Sequence, residues 1–151
     1  MRDNIWLEKR LDIIWKVLIP EIEKKNKITI IFKGKWKNKF AHIKRQKDSS
    51  TEIAINAFFR YKEVPDFILD TTIAHELVHY MHGFHSPYEK QFKYPHQGGI
   101  VNKELKKRGF NFLLVLEKEW IKNKWESIYK NIKQTSYTSY NSYNNTQPSH
   151  S

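Results

Sequence analysis

His75-Glu76-Leu77-Val78-His79 lies inside a run, Val64 to Gly83, that reads as one helix, and no other feature constrains the chain so tightly. Pro65 suits a first turn, Asp66 favours the positive end of the helix dipole, and Gly83 stands just past the last periodic residue as a stop. On a helix, residues i and i+4 project to one side, so both imidazoles reach toward one point, with Glu76 one residue round from the first. Turning through about 100° per residue puts Phe67, Ala74, Leu77, Val78 and Met81 on a broad apolar side. His75, His79 and His82 share a narrower stripe beside it. The expectation is an amphipathic helix that buries one side and uses the other. Two imidazoles and an adjacent carboxylate suit a hydrolytic zinc site. Zinc takes three protein ligands and keeps a fourth position for water, and the carboxylate accepts that water's proton as it attacks a carbonyl.

The third ligand has several candidates. Five of the seven histidines fall within residues 75–96. Cysteine is absent, so a metal must be held by His, Asp or Glu, and neither a disulfide nor a thiol nucleophile is available. His82 lies about two turns from His75, some 10 Å along the axis, too far to share one tetrahedral ion, and reads as a supporting or surface residue. His85 stands six residues after His79, as in H-E-x-x-H-x-x-G-x-x-H metzincins, but the glycine comes one place late, at Gly83, and no methionine follows to make a Met-turn. His96 sits on the loop from Gly83 to Gly99, ahead of Gly98-Gly99 and the next helix; a loop of that length is functional or disordered more often than a mere connection. Carboxylate alternatives are Glu104, Glu117 and Glu119, all in predicted helix. On the residues alone the choice among His96, His85 and these carboxylates stays open.

The rest of the chain reads as one α+β domain over residues 1–134. Residues 5–19 form a predicted amphipathic helix ending near Pro20, and 27–33, 35–45 and 51–59 are three predicted strands, expected as an antiparallel-type sheet. Beyond the histidine loop, 100–109 and 112–133 are predicted helices, the second with Leu113, Leu116, Trp120, Ile128 and Ile132 roughly on one stripe. Residues 135–151, rich in Ser, Asn and Tyr without charged or aliphatic side chains, are expected to be a disordered tail, which removes His150 as a ligand. The apolar N-terminus is interrupted by Glu8, Lys9, Arg10, Asp12 and Lys16, unlike a signal peptide or membrane span, so the expected address is cytoplasmic with no membrane partner.

A formal net charge of +11 favours polyanionic partners. It is concentrated in Lys33–Lys47, where seven basic and no acidic residues interleave with Trp36, Phe40 and His42, a composition able to contact phosphates and stack on unpaired bases. Strand alternation would instead turn the aromatics into the core and leave a basic outer face.

Three segments, "TEIAINAFF" (51–59), "TTIAHELVHYMHG" (71–83) and "YPHQGGIVNKELKKRGF" (94–110), resemble the SprT-like metallopeptidases, the family that includes Spartan-type proteases. The likeness spans about residues 27–110. It implies a small zincin-like domain, one zinc ion held by His75, His79 and His96, Glu76 as general base, protein substrates, and proximity to DNA. A weaker likeness, "HELVHYMHGFHSPYEKQF" (75–92) to the YgjP-like metal-dependent hydrolases, would favour His85. The chain is therefore expected to be a zinc metallopeptidase. A non-catalytic, zinc-stabilised module binding DNA or protein is the alternative, against which Glu76 argues because a closed structural site has no use for a base. Tyr88 and Tyr94 are the candidate oxyanion donors.

Overall fold

The computed structural model describes residues 1–135; the remainder, and with it all but the first residue of the expected tail, lies outside the described residues. The first helix, α1, spans Asn4–Leu18. The Asp3 carboxylate accepts the Trp6 N–H at 2.8 Å, satisfying one of the free donors at the helix start. Leu7, Leu11, Ile14, Trp15 and Leu18 recur at three- and four-residue spacing and form its buried stripe.

Strands β1 (Ile28–Phe32), β2 (Ala41–Arg45) and β3 (Thr51–Ile55) make a sheet of order β1-β3-β2. β2 and β3 are an antiparallel hairpin with Ile43 opposite Ile53, while β1 runs parallel to β3 with Ile30 opposite Ile53. The sheet is mixed, which corrects the antiparallel expectation. Local turn signals specify the hairpin, but residues 33–40 carry the chain across the sheet and leave the middle place for β3, the most buried of the three strands. All three strands are also shorter than expected, the second and third by several residues. The Asn56 amide donates to the carbonyls of Trp36 (2.6 Å) and Lys39 (2.9 Å) while its oxygen accepts the Phe58 N–H. One side chain thereby holds residues 36–39 out of the ladder and starts the turn that ends β3.

Helix α2, Asp66–Met81, is central, between the sheet and α1 on one side and the C-terminal helices on the other. The expected two-sided helix is not what forms: Ile68 through Tyr80 are buried except His75. A helix surrounded by packing partners buries polar positions too. Asp70 does so as a bidentate partner of Arg10, at 2.5 and 2.6 Å, which joins α2 to α1. Gly83 ends the helix with φ +87, and the Phe84 N–H reaches the His79 carbonyl at 2.9 Å. A Cβ at Gly83 would lie 2.3 Å from the Glu89 carbonyl oxygen, so only glycine fits.

Helix α3 (Ile100–Lys107) and helix α4 (Asn111–Trp120) pack on α2 from the other side. The predicted single helix over 112–133 continues through a wider turn, Ile121–Trp125, into helical residues 126–135. That turn adds a residue to the repeat, so Trp120 and Trp125 both face inward and stack with ring centroids 5.6 Å apart. No helix among the described residues is long and apolar enough to cross a membrane.

Arg2 fastens the start of the chain to the entrance of α2. Its guanidinium donates to the carbonyls of Phe59, Tyr61 and Val64 and to the Asp66 carboxylate, at 2.6–3.1 Å. Replacing it by alanine leaves three carbonyls without their charged donor and is expected to cost about 2–3 kcal/mol. Urea unfolding checks this; a loss below about 0.5 kcal/mol, the size of an ordinary surface change, would show the network to be dispensable.

Candidate metal centre

His75 and His79 lie one turn apart on α2, as their spacing requires. His96 arrives from the loop after Gly83, which is ordered by contacts distant in sequence. Ser86 donates to the Tyr80 carbonyl at 2.7 Å, Tyr88 donates to the Glu23 carbonyl at 2.6 Å, and the Gln91 N–H reaches the His82 carbonyl at 3.0 Å. Gly98 and Gly99, at φ +58 and +66, turn the chain sharply after His96 and lead it into α3.

The three Nε2 atoms form a near-equilateral triangle: His75 to His79 3.0 Å, His79 to His96 3.1 Å, His75 to His96 3.2 Å. These are the only three His, Asp or Glu residues grouped this closely among the described residues, and they are close enough to bind a metal ion. An imidazole nitrogen is either donor or acceptor, never both, so three of them cannot close a ring of hydrogen bonds on one another. A cation accepting all three lone pairs removes the conflict. Zn–N bonds of about 2.0–2.1 Å at a tetrahedral angle would separate the nitrogens by roughly 3.3–3.4 Å, a few tenths of an ångström from what is present. The donor set, three neutral nitrogens and no thiolate, suits zinc and other imidazole-binding transition metals.

The other candidates point elsewhere. The His85 ring accepts the Arg45 N–H at 3.3 Å, its carbonyl accepts from Thr51 at 2.7 Å, and its φ is +57. It borders the histidine cleft without joining the triangle. His82 is buried, not on the surface, with its ring against Phe92. Glu104 pairs with Arg108, Glu119 is exposed, and Glu117 faces a neighbouring cavity. Tyr88 is committed to the Glu23 carbonyl and so is no oxyanion donor; Tyr94 is exposed and stands outside the residues that line the cleft.

Glu76 is 5% exposed and, with His75, lines both the histidine cleft, of about 310 Å³, and an adjoining cavity. Burial pushes its carboxyl up to about 7, opposed by the nearby Lys39 ammonium. Burial also lowers His75 to about 4 and His79 to about 3, helped by the other imidazoles, so both are neutral and ready to bind a metal at physiological pH. The cleft is bordered by Ala41, His42 and Ile43 of β2, one of the two outer strands of the sheet. The spacing signals in the sequence did not single out Lys39 or this strand edge. Thr71 and Thr72, which line the adjoining cavity, precede His75 and Glu76 by four residues, a same-side spacing; both fall in the segment that resembles the SprT-like helix, but neither was assigned a role from the sequence.

These shifts set how the metal-free protein responds to acid. Unfolded imidazoles take up protons near pH 6.5, the folded pair only near 4 and 3, so below 6.5 these two histidines bind more protons in the unfolded chain. Glu76 has the opposite sign: its contribution is full below about 4.5 and is lost as pH rises through about 7. Two histidines outweigh one carboxyl, so urea midpoints of the metal-free protein are expected to fall as pH drops from about 6.5 to about 5. Midpoints that hold or rise over that range would contradict the assignment of neutral ligands.

The basic segment Lys33–Lys47 presents all seven of its basic side chains to solvent. Two of them are paired, Lys33 with Glu52 and Lys37 with Glu126. Phe40 packs edge-on against Phe59 and Trp125 in the core, whereas Trp36 is half-buried beneath the Lys39 ammonium, 4.7 Å above its ring.

Comparison with protein-family models, with curated proteins and with solved structures finds no match to this chain.

Proposed function

We propose that the chain is a zinc-dependent peptidase that hydrolyses peptide bonds of protein substrates, a reading in keeping with the SprT-like motifs. The observation that carries it is the convergence of His75, His79 and His96 with a buried carboxyl, Glu76, in the same cleft. When bound by these three histidines, zinc supplies a Lewis acid and acidifies water toward a pKa of about 7.

The protein's own groups do the rest. Glu76, held off its ordinary value by burial, is poised to take a proton from the attacking water near neutral pH and return it to the leaving amine. A dication nearby favours its ionised form, so the acid limb of activity is expected at or below pH of about 7. The outer edge of β2 offers unpaired backbone groups beside the cleft, which suits an extended peptide laid along the strand. The exposed lysines of Lys33–Lys47 support DNA-associated proteins as one class of substrate. Binding to DNA that weakens as salt rises is the expected sign, and no binding at low salt would remove that part.

The test of the reaction is metal dependence. Zinc-loaded protein is expected to cleave an unstructured protein such as casein, to stop when the metal is chelated, and to resume on zinc addition. Chelation without effect on cleavage would overturn the zinc mechanism.

A further inference from the structure

Beside the histidine cleft lies a second cavity of about 320 Å³, within the size of small ligand pockets. The two meet at Lys39, Ala41, His75 and Glu76, which border both. Whatever lies across Glu76 in one therefore reaches directly into the other.

The cavity has a divided character. Phe40, Leu105 and Leu114 give it apolar walls; Asn102 and Glu117 give it polar groups. Thr72 is only 5% exposed, and its hydroxyl, without a hydrogen-bond partner among the described residues, is sealed from the cavity. Glu117 is half-buried on the cavity wall: burial raises its carboxyl above the usual range, and a hydrogen bond with the neighbouring Thr71 hydroxyl offsets this only in part. Among the described residues Lys39 is the one lysine or arginine on the border; its ammonium lies over the Trp36 ring and acts on Glu76, at the end of the cavity shared with the histidine cleft. Two carboxyls, Glu76 and Glu117, thus share the space.

We infer that this cavity is a specificity pocket for a basic side chain, lysine or arginine, next to the scissile bond, with Glu117 receiving its charged head. The apolar walls match the hydrocarbon stem of such a side chain, and the Glu117 carboxyl stands where a charged head would otherwise lose its water. The inference rests on the peptidase reading for its position relative to the scissile bond, but not for the binding itself.

The test therefore has two arms, both on the full chain. In the first, zinc-loaded wild type and Glu117→Gln digest a peptide library that varies lysine, arginine, glutamine and norleucine at each position, and products are read by mass spectrometry. The wild type is expected to favour lysine or arginine over norleucine at one position beside the cut by about tenfold or more, the order that one charge-assisted hydrogen bond provides. Glu117→Gln is expected to lose most of that preference, and Glu117→Lys to turn it toward acidic residues. In the second arm, lysine and norleucine peptides are titrated into zinc-loaded Glu76→Gln protein with and without Glu117→Gln. Tighter binding of the lysine peptide, abolished by Glu117→Gln, supports the pocket even if the wild type cleaves nothing, in which case only the peptidase reading fails. Equal binding of the two peptides, or a lysine preference untouched by Glu117→Gln in either arm, overturns it.

Discussion

Glu76→Gln is expected to lower peptide cleavage by about 10²–10⁴-fold, the usual contribution of a positioned general base, while zinc content and fold persist. The exchange is nearly isosteric, and Glu76 stands outside the triangle of Nε2 atoms. It also removes a buried group that resists ionisation, since the carboxyl is raised to about 7. The variant should therefore be no less stable than the wild type at alkaline pH, where keeping that carboxyl ionised in the fold is costly. Cleavage assays on samples matched for zinc content check the first part and urea unfolding the second. A variant that keeps more than about a tenth of wild-type activity would show that proton transfer runs through another group.

The second large effect concerns the metal. His96→Ala is expected to lose zinc by a factor of about 10³ or more in affinity, because it removes one of three nitrogen ligands and leaves a pair that cannot enclose an ion. His85→Ala should retain stoichiometric zinc, since the His85 ring is turned to the Arg45 N–H. Metal analysis after dialysis against a mild chelator separates the two. Loss of zinc from His85→Ala with retention in His96→Ala would reassign the third ligand.

How much of this the sequence contained differs from element to element. The placement of α2, its glycine stop and the paired histidines follow from local rules, because spacing and capping act within a turn or two of helix. His96 could be singled out by its glycines and by resemblance, but not placed by spacing: its position depends on Ser86, Tyr88 and Gln91 pinning the loop to Tyr80, Glu23 and His82. The sheet order was hidden for a related reason. A hairpin has a local turn signature, whereas the insertion of β3 between β1 and β2 is settled by which strand is most thoroughly buried. The apolar stripe drawn for 112–133 assumed an unbroken repeat and passed over Trp125, which the wider turn at Ile121–Trp125 brings inward beside Trp120. The polar side expected on α2 failed because periodicity reports how residues are arranged round a helix, not how many neighbours surround it.

The most direct measurement loads the purified 151-residue chain with one equivalent of zinc, incubates it with an unstructured protein, and sequences new N-termini by mass spectrometry. Zinc-loaded Glu76→Gln, matched in metal content, runs in parallel. The account predicts new termini with the wild type and almost none with the variant. A wild type that holds zinc at one equivalent and yields no new termini, or a variant that yields as many, would contradict it.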